Sequence, residues 1–373
     1  MDLGKIPARL EVESLEAYSA PLEGRRGLLR LDFNENTIGP SPRVLEKIKS
    51  IPSDYYAIYP EYEGLQKAII NNLGVEKLLS THQVGIFNGV DASLHAILHA
   101  FGSPRQRMIV TSPTFGYYIP CARMQGMRVE AISHNLPDLS FPFQEVQARL
   151  TDTKVLLICN PNNPTGTRLS SQQILILAKS APNTLVVVDE LYETFTGDGM
   201  LSSLRIQFSG NPKHEQTSDL LKFIPNLVIL RSLAKTSGIA GLRLGFAIGQ
   251  AEIINRISRV IGPYDINSFA VTAGLAALSD QPYVDAYVSE VLQARVWLIS
   301  QLKEKDVCYH IKGGNYLLIW PRNPEMEVNQ RLREEGILVR SMYGKKQING
   351  SLRVSIGTCK QMRYFWWNYI QIE

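Results

Sequence analysis

The chain has 373 residues, 45% hydrophobic and 20% charged, an ordinary globular composition with length enough for one large or two medium domains. Its 39 Lys and Arg against 35 Asp and Glu leave a net charge of only +4, spread without a basic run, so the electrostatic footprint of a nucleic-acid binder is excluded. The longest apolar stretches are strand-sized, far short of the roughly 20 residues that span a bilayer, and the start, MDLGKIPARLEVESLEAY, lacks the continuous hydrophobic stretch of a leader; cytoplasmic residence with no membrane partner is the expectation.

Residues 1–40 show few periodic signals and are expected to form an arm packed on the rest. SPRVLEKIKS then opens a helix, with Ser41 as N-cap and Pro42 at its first position. EYEGLQKAIINNLG repeats apolar residues at helical spacing until Gly74 stops it. Short apolar runs follow in RMIVTSP, MRVEAIS, TKVLLICNP, TLVVVDE, NLVILRS and LRLGFAIG, with amphipathic stretches such as FQEVQARL and SSQQILILAKSA between several of them. Continuous rather than alternating apolarity marks strands buried on both faces, so a mostly parallel sheet covered by helices is predicted. After residue 250 the pattern turns helical and ends in YVDAYVSEVLQARVWLISQLKEK, a connecting helix of about six turns. VCYHIKGGNYLLIW, NQRLREEG, ILVRS, LRVSIGT and the aromatic stretch MRYFWWNYIQ read as a smaller α+β domain. The expected division is an arm over 1–40, a large α/β domain over 41–282 and a small domain over 283–373. Cys121, Cys159, Cys308 and Cys359 lie far apart with no ligand spacing, and are expected to be buried free thiols.

Ligands bind at strand ends in such a sheet, and the most distinctive segments stand there: NPNNPTG at 160–166, VVVDELY at 186–192 and RSLAKTSGIAGLRLGF at 231–246. Together with the NEN and GPSP pieces between 34 and 42, Tyr59-Pro60, NGVD at 88–91, PTFGYY at 113–118, GGN at 313–315, GILVR at 336–340 and LRVSIGT at 352–358, they resemble the fold-type I pyridoxal-phosphate-dependent aminotransferases of class I/II. The likeness runs in order through essentially the whole chain, and its flavour is that of the histidinol-phosphate aminotransferase branch.

The resemblance implies roles that the chemistry makes intelligible. Pyridoxal phosphate needs a lysine desolvated enough to have a neutral fraction. Lys235 stands at that position, and apolar neighbours with Gly238 and Gly241 argue against the surface charge that a lone lysine usually is. Asp189 matches the carboxylate that keeps the ring nitrogen protonated. Tyr192 and Asn163 match the groups that hydrogen-bond the ring's phenolic oxygen. For the phosphate, Gly89, Val90 and Asp91 open a helix whose amides meet an anion at its positive end, with Ser232 and Arg243 as hydroxyl and guanidinium partners. Ala92 and Ala234 replace a Glu and a second Ser that the family often has, so a weaker hold on the cofactor is expected. Phe115 replaces the commoner stacking Tyr and keeps the π-face. Arg353 matches the substrate-carboxylate arginine and Arg340 the arginine seen where the substrate carries a phosphate; both suit bidentate clamping of an anion. Tyr18 and Asn36 match residues lining the same pocket, and Thr37 stands where the branch usually has Pro. Tyr59 is implied to reach the cofactor phosphate of the neighbouring subunit, hence a homodimer.

Other features read as bland. His95 and His99, at i and i+4, lack the glutamate and third ligand of a metal helix, so no metal is expected. The FWW cluster at 365–367 is read as domain packing. The leading functional expectation is an aminotransferase acting on histidinol phosphate or another amino acid, with glutamate and 2-oxoglutarate as the other pair. The alternative on the same scaffold is a decarboxylase, or a lyase that eliminates and cyclises a hydroxylated arginine. In that case the acids Glu11, Glu13 and Glu16 of the arm would face a guanidinium. A cofactor-binding regulator ranks last, because no DNA-binding segment accompanies the full catalytic set.

Overall fold

The structure, a computed structural model, describes residues 6–209 and 219–373; residues 1–5 of the expected arm lie outside them. The arm contributes β1 (Leu29–Arg30). The large sheet is built from β2 (Val84–Asn88), β3 (Arg107–Ser112), β4 (Arg128–Ser133), β5 (Thr153–Cys159), β6 (Leu185–Asp189), β7 (Leu227–Ser232) and β8 (Leu244–Gly249). Their order across the sheet is β2-β8-β7-β6-β5-β3-β4. β8 runs antiparallel to both its neighbours, and the other pairs are parallel.

The valines of β6 show why these runs are continuously apolar. Val186 and Val188 lie in the core on one face of the sheet and Leu185 and Val187 in the core on the other, so the period of two persists while both faces are covered. Each such buried side chain contributes roughly 1.5–3 kcal/mol. The helices that supply the cover start where their caps stand. The Ser41 hydroxyl accepts from Val44 N at 3.3 Å with Pro42 following, and Ser170 with Gln173 forms a reciprocal box.

The second part of the chain packs β9 (Cys308–His310), β10 (Tyr316–Trp320), β12 (Arg340–Ser341) and β13 (Leu352–Ser355) into an antiparallel sheet in the order β12-β13-β10-β9. β11 (Ile337–Leu338) pairs in parallel with β1, which joins the arm to this part. The long helix Gln281–Glu304 and the terminal helix Cys359–Ile372 bury Tyr287, Leu298, Phe365 and Trp366 in one core with these strands. Of the FWW cluster, Phe365 and Trp366 are core and Trp367 is exposed.

Two departures stand out. Cys121 and Cys159 are buried as expected, but Cys308 is exposed and Cys359 half-buried, because β9 is an edge strand and Cys359 opens a helix. β2 and β1 carry no strong strand signal: β2 contains Gly85, and β1 is two residues long and exists only through its pairing with β11. No helix of the described residues is long and apolar enough to cross a membrane.

Candidate active site

Strand direction brings the site together. β5, β6 and β7 are parallel, so Asn163, Asp189 and the segment from Ser232 to Lys235 emerge at one edge of the sheet. β8 is antiparallel and therefore begins at that edge, where Arg243 precedes it. β2, antiparallel to β8, ends there and passes directly into the helix Gly89–Phe101.

At the end of β6, Asp189 is 3% exposed. Tyr118 donates its hydroxyl to Asp189 Oδ2 at 2.5 Å, and Leu191 N donates to Oδ1 at 3.2 Å. Burial pushes the carboxyl up to about 6, against the pull of Tyr118. A cation facing it would restore the carboxylate. Tyr118 is a site residue that sequence reasoning missed, since nothing in PTFGYY marks its second tyrosine for the end of a strand 71 residues away. Tyr118→Phe is expected to weaken cofactor binding by about 1.5–3 kcal/mol, the range for a hydrogen bond to a charged group. Spectroscopic titration of the apoprotein checks it, and an unchanged dissociation constant would mean that Tyr118 only fills space.

Tyr192, also buried, accepts at its hydroxyl from Asn34 Nδ2 and from Asn163 Nδ2, each at 3.2 Å. Two donors occupy its lone pairs, which leaves its own proton to be donated outward. Asn34 is a second missed residue; it holds a left-handed φ of 55°, which Asn tolerates. Asn36 does something different: its Nδ2 donates to Thr236 O at 2.8 Å, and its Oδ1 accepts from Ile38 N and Gly39 N. It thereby fixes the turn before Ser41 against the lysine loop. Thr37 gives its hydroxyl to Gln361 at 2.6 Å.

Lys235 is partly buried and donates from Nζ to Phe33 O at 2.9 Å. Burial, with the Arg353 guanidinium nearby, pulls its ammonium down from 10.5 to about 8. Ser232 spans the neighbouring strands, donating to Leu244 O at 2.9 Å and accepting from Ala234 N at 3.1 Å. Arg243, in the left-handed region at φ 56°, pairs with Asp91 at 3.1 Å beside the start of the Gly89 helix. A Cβ on Gly245 would lie 2.7 Å from Val90 N and from the Gly89 carbonyl carbon, so glycine is required for that backbone to pass.

Arg353 is 8% exposed. Its Nη1 donates to Asn163 Oδ1 at 2.6 Å and its Nη2 to Asp32 O, while its Nε is buried with no hydrogen-bond partner. Arg340 stands directly opposite it across β12 and β13. Like charges at opposed positions destabilise a sheet unless an anion sits between them. Phe115 packs edge-on to Tyr118 at 5.3 Å and to Tyr18 of the arm at 6.3 Å. Tyr59 lies apart, 68% exposed and stacked on Tyr264 at 4.0 Å. His95 is hydrogen-bonded to Tyr117, His99 is exposed, and no group of metal ligands occurs among the described residues.

A lysine with a depressed ammonium, a buried carboxylate, a helix start with its amides beside a fixed arginine, and a buried guanidinium with an open donor form a set that fits pyridoxal phosphate and an anionic amino substrate. The sequence model of the family described as aminotransferase class I and II matches residues 26–366, and the chain belongs to that family of pyridoxal-phosphate-dependent enzymes. Histidinol-phosphate aminotransferase 1 of Bacillus thuringiensis subsp. konkukian (strain 97-27) is 30% identical over 341 residues, covering 90% of this chain and 86% of that protein. The histidinol-phosphate aminotransferase of Buchnera aphidicola subsp. Diuraphis noxia is 31% identical over 360 residues, covering 94% and 92%. The solved structure of histidinol-phosphate aminotransferase from Sinorhizobium meliloti in complex with pyridoxal-5'-phosphate superposes with a TM-score of 0.83 at 20% identity, covering 99% of this chain and 98% of that one. This chain is a pyridoxal-phosphate-dependent aminotransferase of the histidinol-phosphate aminotransferase-like branch.

Proposed function

We propose that the enzyme transfers the amino group of histidinol phosphate or of an amino acid, with glutamate and 2-oxoglutarate as the other pair. The observation that carries this reading is the opposed, register-matched pair Arg340 and Arg353, which is suited to an anion of more than one charge. When bound, pyridoxal phosphate supplies an aldehyde that bonds a primary amine and a ring that takes up the electron pair left at the substrate α-carbon.

The residues divide that work. Lys235 would hold the cofactor through its aldehyde, and once a substrate amine occupied that place its freed Nζ would carry the proton from the substrate α-carbon to the cofactor's former aldehyde carbon. A value of about 8 leaves a useful neutral fraction near neutral pH. Asp189, fixed by Tyr118, holds a proton on the ring nitrogen, and Tyr192 donates to the phenolic oxygen. Gly89, Val90, Asp91, Ser232 and Arg243 form the phosphate end, and Phe115 covers the ring. Arg353 binds the substrate carboxylate or phosphate with Arg340 beside it. In this reading residues 41–282 hold the cofactor, while the arm and residues 283–373 close on the substrate. The direct test follows the cofactor spectrum of the holoenzyme with histidinol phosphate and then with 2-oxoglutarate. Keto product and pyridoxamine phosphate support the reading, and cofactor that never leaves its aldehyde form while substrate is consumed overturns it.

The working unit of this reading is a homodimer. Tyr55, Ile58, Tyr59 and Leu275 are exposed along a groove of about 790 Å³, a clustering that favours a protein surface as occupant. Tyr59 reaches none of its own chain's site and is taken to serve the neighbour's phosphate end. Sedimentation equilibrium is expected to give a dimer, and Tyr59→Ala to weaken cofactor retention by about 1–2 kcal/mol. A fully active monomer contradicts this.

A further inference from the structure

His95 and Tyr117 take no part in the roles above, yet they make one of the shortest contacts near the site. Tyr117 OH lies 2.5 Å from His95 Nε2, with the rings 5.4 Å apart and edge-on. Burial lowers the imidazole below 6.5 and raises the phenol above 10. Near neutral pH the phenol therefore donates and the neutral ring accepts. His95 lies on the helix Gly89–Phe101, so the bond pins the Tyr117 ring to a rigid element of the large domain.

The arm rests on that ring. Tyr18 packs on Tyr117 with centroids 5.3 Å apart and reaches Phe115 at 6.3 Å. A Cβ on Gly116 would lie 3.3 Å from Tyr18 Cε2, so the glycine lets the arm approach. Before Arg25 little else secures it: the helix Leu10–Glu13 buries no residue, and Arg9 holds on through Met124 O, whereas the later part of the arm is tied down where β1 pairs with β11. A segment with so few buried contacts is held in place by whichever contacts it has.

We propose that Tyr117, fixed by His95, is the seat on which Tyr18 closes, and that this positioning pair sets the affinity of the site for primary-amine substrates with a flat ring side chain. The substrate part of this rests on the aminotransferase reading above; the seat itself does not. Tyr18, Phe115 and Tyr117 present ring faces and edges, which gain from stacking on a planar side chain and little from a short acidic one. The pair touches no reacting atom, so its effect falls on KM and not on kcat.

The test uses the holoenzyme and four variants: Tyr117→Ala, Tyr117→Phe, His95→Leu and His95→Gln. Trypsin cleavage after Arg9, followed by mass spectrometry without substrate, reads the seat directly. It is expected to speed up about tenfold in Tyr117→Ala and about threefold in Tyr117→Phe and His95→Leu, as the loss of one aromatic or hydrogen-bonded contact allows, with His95→Gln near wild type. In the half-reactions, KM for histidinol phosphate is expected to rise by similar factors with kcat held, and KM for glutamate far less. Unchanged cleavage in Tyr117→Ala, or equal KM changes for both substrates, overturns the proposal. If the wild type turns over neither substrate, the aminotransferase reading fails, and the cleavage rates still decide whether Tyr117 seats the arm.

Discussion

Lys235→Ala is expected to lose about four orders of magnitude or more in the half-reaction rate, since one residue is asked both to carry the cofactor and to move the proton. Cofactor should still bind without a covalent link, because Asp189 and the phosphate end at Gly89 remain. Borohydride reduction of the wild type followed by peptide mapping should label Lys235, and a label on another lysine overturns the assignment. The pH dependence has a definite sign. The folded-state ammonium titrates near 8 and an unperturbed lysine at 10.5, so between these values the folded chain binds fewer protons than the unfolded one. The cost of holding Lys235 is therefore fully present below pH 8 and is relieved as the pH rises from 8 to 10.5. Lys235→Met apoprotein should melt higher than wild type at pH 7, with the gap closing by pH 10.5. Cofactor capture by wild-type apoprotein should reach about half its limiting rate near pH 8 and level off about one pH unit higher. A pH-independent capture rate contradicts the neutral-amine requirement.

Arg353→Ala is expected to lose about 3 kcal/mol or more of transition-state binding, roughly 150-fold in kcat/KM, on every anionic amino acid tested. The loss is large because the guanidinium is buried and its removal also frees Asn163 Oδ1 and Asp32 O. Arg340→Ala should be selective. It is half-buried and opposite Arg353, so a phosphate with two charges engages both arginines while a single carboxylate is held by Arg353 alone. The penalty should be about tenfold greater for histidinol phosphate than for glutamate. Equal losses on both substrates would remove Arg340 from the clamp. Wild type that leaves histidinol phosphate untouched but releases water from 4-hydroxyarginine without a keto acid would favour the lyase alternative.

The strands β3 and β5 to β8 and the helices beginning at Pro42 and Ser171 were legible in the chain because their signals are local: unbroken apolar runs, capping residues and Gly or Pro punctuation. β4, an edge strand carrying Arg128 and Glu130, gives a weaker signal of the same kind. Strand ends placed the region of Asp189 and Lys235 at the ligand-binding edge of the sheet, but their expected roles came from the resemblance of VVVDELY and RSLAKTSG to the aminotransferase motifs. Tyr118, Asn34 and the seat of Tyr18 on Tyr117 were not legible. Their partners lie 71, 158 and 99 residues away, and no local pattern encodes a hydrogen bond or ring contact that exists only once two elements are docked. The same holds for Asn36, whose amide the fold turns toward Thr236, and for Arg340, whose place opposite Arg353 follows from the register of β12 on β13. Residue types and local periodicity thus determined the architecture, and the motif resemblance supplied the expected reacting groups. Tertiary structure alone decided which side chains hold those groups in place, because a hydrogen bond worth about 1 kcal/mol forms only between atoms that packing has already brought within about 3 Å.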